Sequence, residues 1–306
     1  MVAADNTSSI SDAKESFRKL LIEHKGDAKH PEVKAALDTL IQLAANDRGD
    51  TDEWSPTHNV DKNKGHWRTI TTPPFGGKLD DESGGKTRFT LGRMSFSMFK
   101  PTAMVCAVDD IVNIIEDVNP DDAAMAEEKT NKEDEDSQMW SQTYNIDVLM
   151  QIETPSGTEL PARLINYGVC FPKSPTRLGV KFTQGTLQPN FDTKDTKLMN
   201  VWKEIFDQAI AKEAEAQSYL SKIGTYVMHT IMYYLMGLEP PTDNIDYTQT
   251  FRIGKPFIGH LDILYLDANF RVTKGSKGTI VVVERVTEKK EEVEKGTPPL
   301  IRGRFF

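Results

Sequence analysis

Residues 259–286, GHLDILYLDANFRVTKGSKGTIVVVERV, constrain the fold more than any other stretch of this chain. Leu261, Ile263 and Tyr265 alternate with Asp262 and Leu264, the period of two that a strand with one buried face requires. Asp267, Ala268 and Asn269 then supply turn chemistry before a second run at 270–273. The next reversal, Gly275-Ser276-Lys277-Gly278, has glycine at both ends, where a positive φ is tolerated. Residues 279–285 are rich in the β-branched side chains that a pleated sheet accepts. The pattern predicts three antiparallel strands joined by tight turns, a β-meander. It holds no obvious nucleophile, metal cluster or phosphate cradle, so by itself it specifies architecture and no chemistry.

The same strand signals recur upstream. Tyr144, Ile146, Val148, Met150 and Ile152 alternate with Asn145, Asp147, Gln151 and Glu153, and Pro155-Ser156-Gly157 turns the chain. Further strands are expected at 103–115, 160–171 and 177–183. Phe89 and Leu91 share one parity while Met94, Phe96 and Met98 share the other, and this slip at Gly92-Arg93 predicts a β-bulge in a curving strand. Curved strands suit a barrel.

Helical patterns flank and interrupt the strands. Asp12 with Glu15 reads as a capping box, followed by Phe17, Leu20 and Leu21 on one face before Gly26. Pro31 opens a second helix carrying Val33, Ala36, Leu37, Leu40, Ile41 and Ala44. Residues 47–64 are polar and rich in turn formers and read as a loop. A helical insertion is expected at 195–238, first with a stripe of Leu198, Val201, Trp202, Ile205, Phe206, Ala209 and Ile210. Its second part, 223–238, ends at Gly237 with Pro240 beyond. Those sixteen residues would rise only ~24 Å against a bilayer core of ~30 Å, so the segment is too short to span. Its face from 224 to 238 lacks Lys and Arg, which favours packing on the protein body over a membrane surface.

Two motifs carry a resemblance. Gly65-His66-Trp67, followed by Arg68 and threonines, resembles the opening motif of lipocalins. Asp262, Tyr265, Leu266, Asp267, Arg271, Gly275, Gly278 and Arg285 resemble the C-terminal signature of the plastid lipid-associated protein (PAP)/fibrillin family. The resemblance implies a mainly β chain with added helices: a lipocalin-like antiparallel β-barrel at 65–286, behind an N-terminal helical segment at 1–48. Within the barrel region the acidic insertion at 121–136 and the helical one at 195–238 precede the C-terminal hairpins, and a charged tail occupies 287–306. The resemblance also implies that Trp67 stacks against an arginine from the last strands, Arg285 first and Arg271 as the alternative. Import into a plastid would mean that MVAADNTSS, which has no leader pattern, is a mature start.

Charge and motif content narrow the chemistry. The net charge of -9 argues against nucleic acid as a partner, because phosphate binding needs a basic face. Eight acids and two lysines at 121–136 account for -6 of it, and such a segment reads as a solvated, mobile insertion. No apolar run approaches the ~18 residues of a membrane helix, so a soluble chain is expected. Cys106 and Cys170 lie in apolar strands outside any paired motif and read as buried free thiols of a reducing compartment. Asn6-Thr7-Ser8 is a chance match to a glycosylation acceptor. His24, His30, His58, His66, His229 and His260 give no pair at metal-ligand spacing on one element, and His229 reads as an ordinary histidine of a helix. No nucleophile elbow, dinucleotide fingerprint or P-loop occurs. Asp262 and Asp267 read as turn-forming aspartates rather than an acid/base pair.

A non-enzymatic binding protein is therefore expected, with no catalytic residue, no metal and no required cofactor. The resemblance implies an apolar small molecule such as a fatty acid, carotenoid or quinone, bound or sequestered at a thylakoid or plastoglobule surface in the plastid. The candidate ligand-binding residues are Trp67, Phe89, Leu91, Phe96, Met98, Tyr144, Ile146, Val148, Tyr265, Arg271 and Arg285. Met and Phe on the strands suit an adaptable apolar cavity, and equally suit a filled core. The alternative is a scaffold that docks without a ligand on a peripheral membrane or thylakoid protein complex.

Overall fold

The computed structural model describes residues 3–48, 60–79, 86–95, 98–119, 141–154, 157, 159–216, 238–243, 248–254 and 258–286. Two helices, α1 (Ala3–Glu23) and α2 (Pro31–Arg48), form an N-terminal hairpin. α1 begins well before the expected capping box, so Asp12 and Glu15 lie inside it on exposed positions. Nothing between Ala3 and Asp12 breaks a helix, and Ser and Thr are tolerated there once neighbouring turns form. Its end is sharply defined. Lys25 (φ 52) and Gly26 (φ 81) are left-handed, and their N–H groups bond back to Ile22 and Leu21 carbonyls at 2.9 and 2.8 Å. Gly26 also lies against the Thr72 backbone and its carbonyl accepts the Thr72 N–H at 2.9 Å, which ties the helical turn to the sheet.

The remaining elements are α3 (Val60–Asn63), β1 (Gly65–Thr69), β2 (Arg88–Thr90), α4 (Leu91–Met94), β3 (Val105–Ile115), β4 (Gln142–Thr143) and β5 (Asn145–Glu153). They continue as β6 (Glu159–Ser174), β7 (Arg177–Pro189), α5 (Thr196–Ala216), β8 (Leu238–Asp243), β9 (Gln249–Ile253), β10 (Gly259–Leu266), β11 (Phe270–Gly275) and β12 (Ile280–Arg285). Eight strands close an antiparallel barrel in the order β1–β3–β5–β6–β7–β10–β11–β12, with β12 returning to β1. β2 adds to β3, β4 to β6, and β9 then β8 to β7. The lipocalin-like barrel, the N-terminal helices and the C-terminal meander are as expected. No described helix is long and apolar enough to cross a membrane.

Three local readings change. The polar run 47–64 ends in the helical turn α3, and residues 49–59 lie outside the described residues. The parity slip at Gly92-Arg93 is a strand running into the helical turn α4 rather than a bulge. A period of two followed by a period of three leaves Phe89, Leu91 and Met94 buried together, and reads in sequence as a slip. Gly92 is used there for close approach, since a Cβ would meet the Thr102 carbonyl oxygen at 3.0 Å. Pro240 lies inside β8, at the irregular register between Glu239 and Thr242, the kind of interrupted outer strand that tolerates proline. The acidic insertion 121–136 and the tail 287–306 lie outside the described residues, as does the helix expected over 223–238 except for Leu238, which begins β8 instead.

α1 and α2 cover the outer face of the meander. Phe17, Leu21, Val33, Leu37 and Leu40 pack with Tyr265, Phe270, Val272 and Val282. Asp267 fastens the first meander turn: its Oδ1 accepts the N–H groups of Asn269 and Phe270 at 2.8 and 2.7 Å. Its Oδ2 accepts from Lys14 of α1 at 2.6 Å and from the Tyr265 hydroxyl at 2.9 Å. Burial pushes the carboxyl pKa up, but Lys14, the Asn269 N–H and the Tyr265 hydroxyl outweigh it and leave it below the usual range. A depressed folded-state pKa contributes stability that is present above the unfolded value of ~3.9 and lost as pH falls through the folded one. Asp267→Asn is therefore expected to cost about 1–2 kcal/mol at neutral pH in urea unfolding, with the gap to wild type narrowing below ~pH 4. A gap of constant size across that range would rule out the charge as its source.

Candidate functional site

Alternation directs one set of side chains from each strand into the barrel, and these divide into two groups along its length. Cys106, Val108, Val148, Met150, Leu164 and Leu187 form one group, together with Phe89, Leu91 and Phe99 from the β2–β3 region. Trp202, Ile205 and Phe206 of α5 join it, so this helix packs at that end of the barrel. Asp195 caps α5, its Oδ1 accepting the N–H groups of Lys197 and Leu198 at 3.0 and 3.2 Å. At the opposite end Ile115, Tyr144, Cys170, Leu178, Val180, Ile263 and Val283 surround Trp67.

Trp67 is fully buried and its Nε1 donates to the Asn63 carbonyl at 2.8 Å. Both expected partners are present, with the Arg285 guanidinium 4.2 Å and that of Arg271 4.9 Å from the indole centroid. Arg285 lies directly across the β1–β12 ladder from Trp67 and donates to the carbonyls of Lys62 (2.6 Å), Lys64 and Ala268. Its donors thus tie the α3 turn and the meander turn together over the barrel end.

Arg271 differs. It is 1% exposed, and it donates from Nη1 to Asn63 Oδ1 at 2.7 Å and from Nη2 to Asn113 Oδ1 at 2.5 Å. No carboxylate pairs with it among the described residues, and its Nε has no hydrogen-bond partner there. Burial pulls its pKa down, Tyr144 and Cys170 oppose this, and the positive charge of Arg285 adds to it. A guanidinium nonetheless stays protonated at neutral pH, so the barrel interior holds a cation compensated by two amide oxygens and an indole face. Burial raises the Tyr144 pKa and pushes the Cys170 thiol up to about 12, as it does Cys106. Both thiols are free, buried and protonated at neutral pH, as expected of core cysteines.

The expected binding residues separate into three sets. Trp67, Tyr144, Arg271 and Arg285 meet at the closed end, while Phe89, Leu91 and Val148, with half-buried Met98 and Ile146, line the α5 end. Tyr265 is a correction: it faces outward against the helical hairpin, because the register of β10 shifts between Ile263 and Tyr265. A bulge reverses which parity faces the interior, so Ile263 points in and Tyr265 out. Phe96 lies outside the described residues. Asn63 and Asn113, the two amides that hold Arg271, were not anticipated. Asn113 had a signal, as the one polar side chain on the inward parity Ile111, Asn113, Ile115; Asn63, in a polar run, had none. Comparison with family models, with curated proteins and with solved structures yields no match for this chain.

Proposed function

We propose that this protein binds or sequesters one apolar molecule, a fatty acid, carotenoid or quinone, in its barrel, without catalysing a reaction. The supporting observation is a closed eight-stranded barrel with apolar walls around a buried guanidinium whose Nε lacks a partner among the described residues. Of the three ligand classes, a fatty acid carries the head group that matches Arg271, since a carboxylate supplies the acceptors and the negative charge that the site lacks. Placement at a plastid thylakoid or plastoglobule surface rests on the resemblance of residues 262–285 to the PAP/fibrillin signature.

A second reading has an observation of its own. The interior side chains pack against one another in continuous clusters, as in an ordinary core, which favours a scaffold docking on a thylakoid protein complex without a ligand. Solvent extraction of the purified protein followed by mass spectrometry separates the two. One apolar molecule per chain is expected, and an added fatty acid should be retained while its methyl ester is not. An empty extract, with no retention of either compound, would overturn the binding reading and favour docking instead.

A further inference from the structure

The spacing of the histidines in the sequence predicts no metal pair on one element, but the turn between α1 and α2 brings two of them together with an acid. His24 follows α1, His30 accepts the first backbone bond of α2 from Lys34 at 2.9 Å, and Glu32 occupies the first turn of α2. The two imidazoles stack with centroids 3.5 Å apart and planes 17° from parallel. His24 Nε2 lies 3.2 Å from Glu32 Oε2, and one ligand atom from each of the three residues falls within 4.8 Å of the others. His30 Nδ1 is buried and has no hydrogen-bond partner among the described residues.

We infer that His24, His30 and Glu32 form a binding site for a single zinc-class divalent cation that clips α1 to α2. Ligand atoms ~2.1 Å from a tetrahedral ion stand ~3.4 Å apart, so the His24–Glu32 pair already has the spacing of two ligands. The stacked imidazole planes are nearly parallel, so coordination by both rings requires the His30 side chain to turn out of the stack. Coordination through Nδ1 would also give that buried atom the partner it lacks.

The backbone carrying the three residues is held in place before any ion arrives. Asp27 N–H bonds to His24 O at 3.0 Å, His30 N–H to Asp27 O at 3.1 Å, and Lys29 N–H to Asp27 Oδ1 at 2.9 Å. Thr72 binds the turn from the sheet side through Gly26 O and Lys25 O. Two imidazole nitrogens and one carboxylate suit zinc, cobalt or nickel, whereas magnesium and calcium favour oxygen donors. The Glu32 side chain is 66% exposed and that of His24 26%, which leaves a path for the ion and room for water to complete its shell.

Isothermal titration of the full-length, tag-free chain with zinc chloride, with magnesium chloride as control, tests the site. One zinc per chain is expected, with a raised thermal midpoint and no response to magnesium. His24→Ala and His30→Ala should each weaken binding by ~10-fold or more, the loss known even for residues that only support metal ligands. Should either variant unfold, Glu32→Gln, at an exposed position, carries the test with the same expected loss. Absence of zinc binding, an equal response to magnesium, or unchanged affinity in the folded variants overturns the inference.

Discussion

Trp67→Ala is expected to destabilise the protein by about 3–5 kcal/mol. The indole is fully buried among Ile115, Tyr144, Val283 and their neighbours, so its removal leaves a cavity at the closed end that rigid strands on every side cannot fill. The Asn63 carbonyl loses its indole donor, and two guanidinium groups lose the π face that compensates their burial. Arg271 has amide oxygens and, among the described residues, no carboxylate to fall back on, so its charge becomes costlier. Trp67→Phe should recover part of the loss by restoring apolar volume without the N–H. Urea unfolding of both variants measures the effect, and a loss below about 1 kcal/mol for Trp67→Ala would show that this end of the barrel does not depend on the indole.

Phe17→Ala is expected to cost a comparable ~3–5 kcal/mol, but locally. Phe17 is fully buried, with its ring edge-on to Phe270 at a centroid distance of 6.1 Å, and is the point where α1 meets the meander. The ion pairs beside it, Lys14–Asp267 at 2.6 Å and Arg18–Glu284, involve partly exposed side chains, and pairs of that kind contribute ~1 kcal/mol or less each. Apolar contact therefore holds the hairpin down. Hydrogen exchange on the variant should show lost protection across α1 and α2 while the barrel strands keep theirs. Equal loss throughout would mean that helices and barrel unfold as one cooperative unit.

The strands of the meander, the clearest of the upstream strands and both N-terminal helices were legible because their signals are local: alternation, proline at a helix start and glycine at a turn. The Trp67 contact with Arg285 was also legible, through the resemblance of two short motifs. Tyr265 was misplaced because a register shift between Ile263 and Tyr265 reversed its face, and no feature of LDILYLD marks the shift. At 88–94 the reverse occurred, a strand and a helical turn combining to imitate a bulge.

The sequence by itself determined where most strands and turns lie and which residues are apolar enough to be buried, since a period of two or of 3.6 depends only on near neighbours. Only the tertiary structure decided which eight of the strands close on one another, which faces point inward, and which polar groups meet inside. Arg271 finds Asn63 and Asn113 across separations of 208 and 158 residues. Contacts of that kind are fixed when burial selects one register for the whole sheet and one packing for the hairpin, and no short window of the chain contains them.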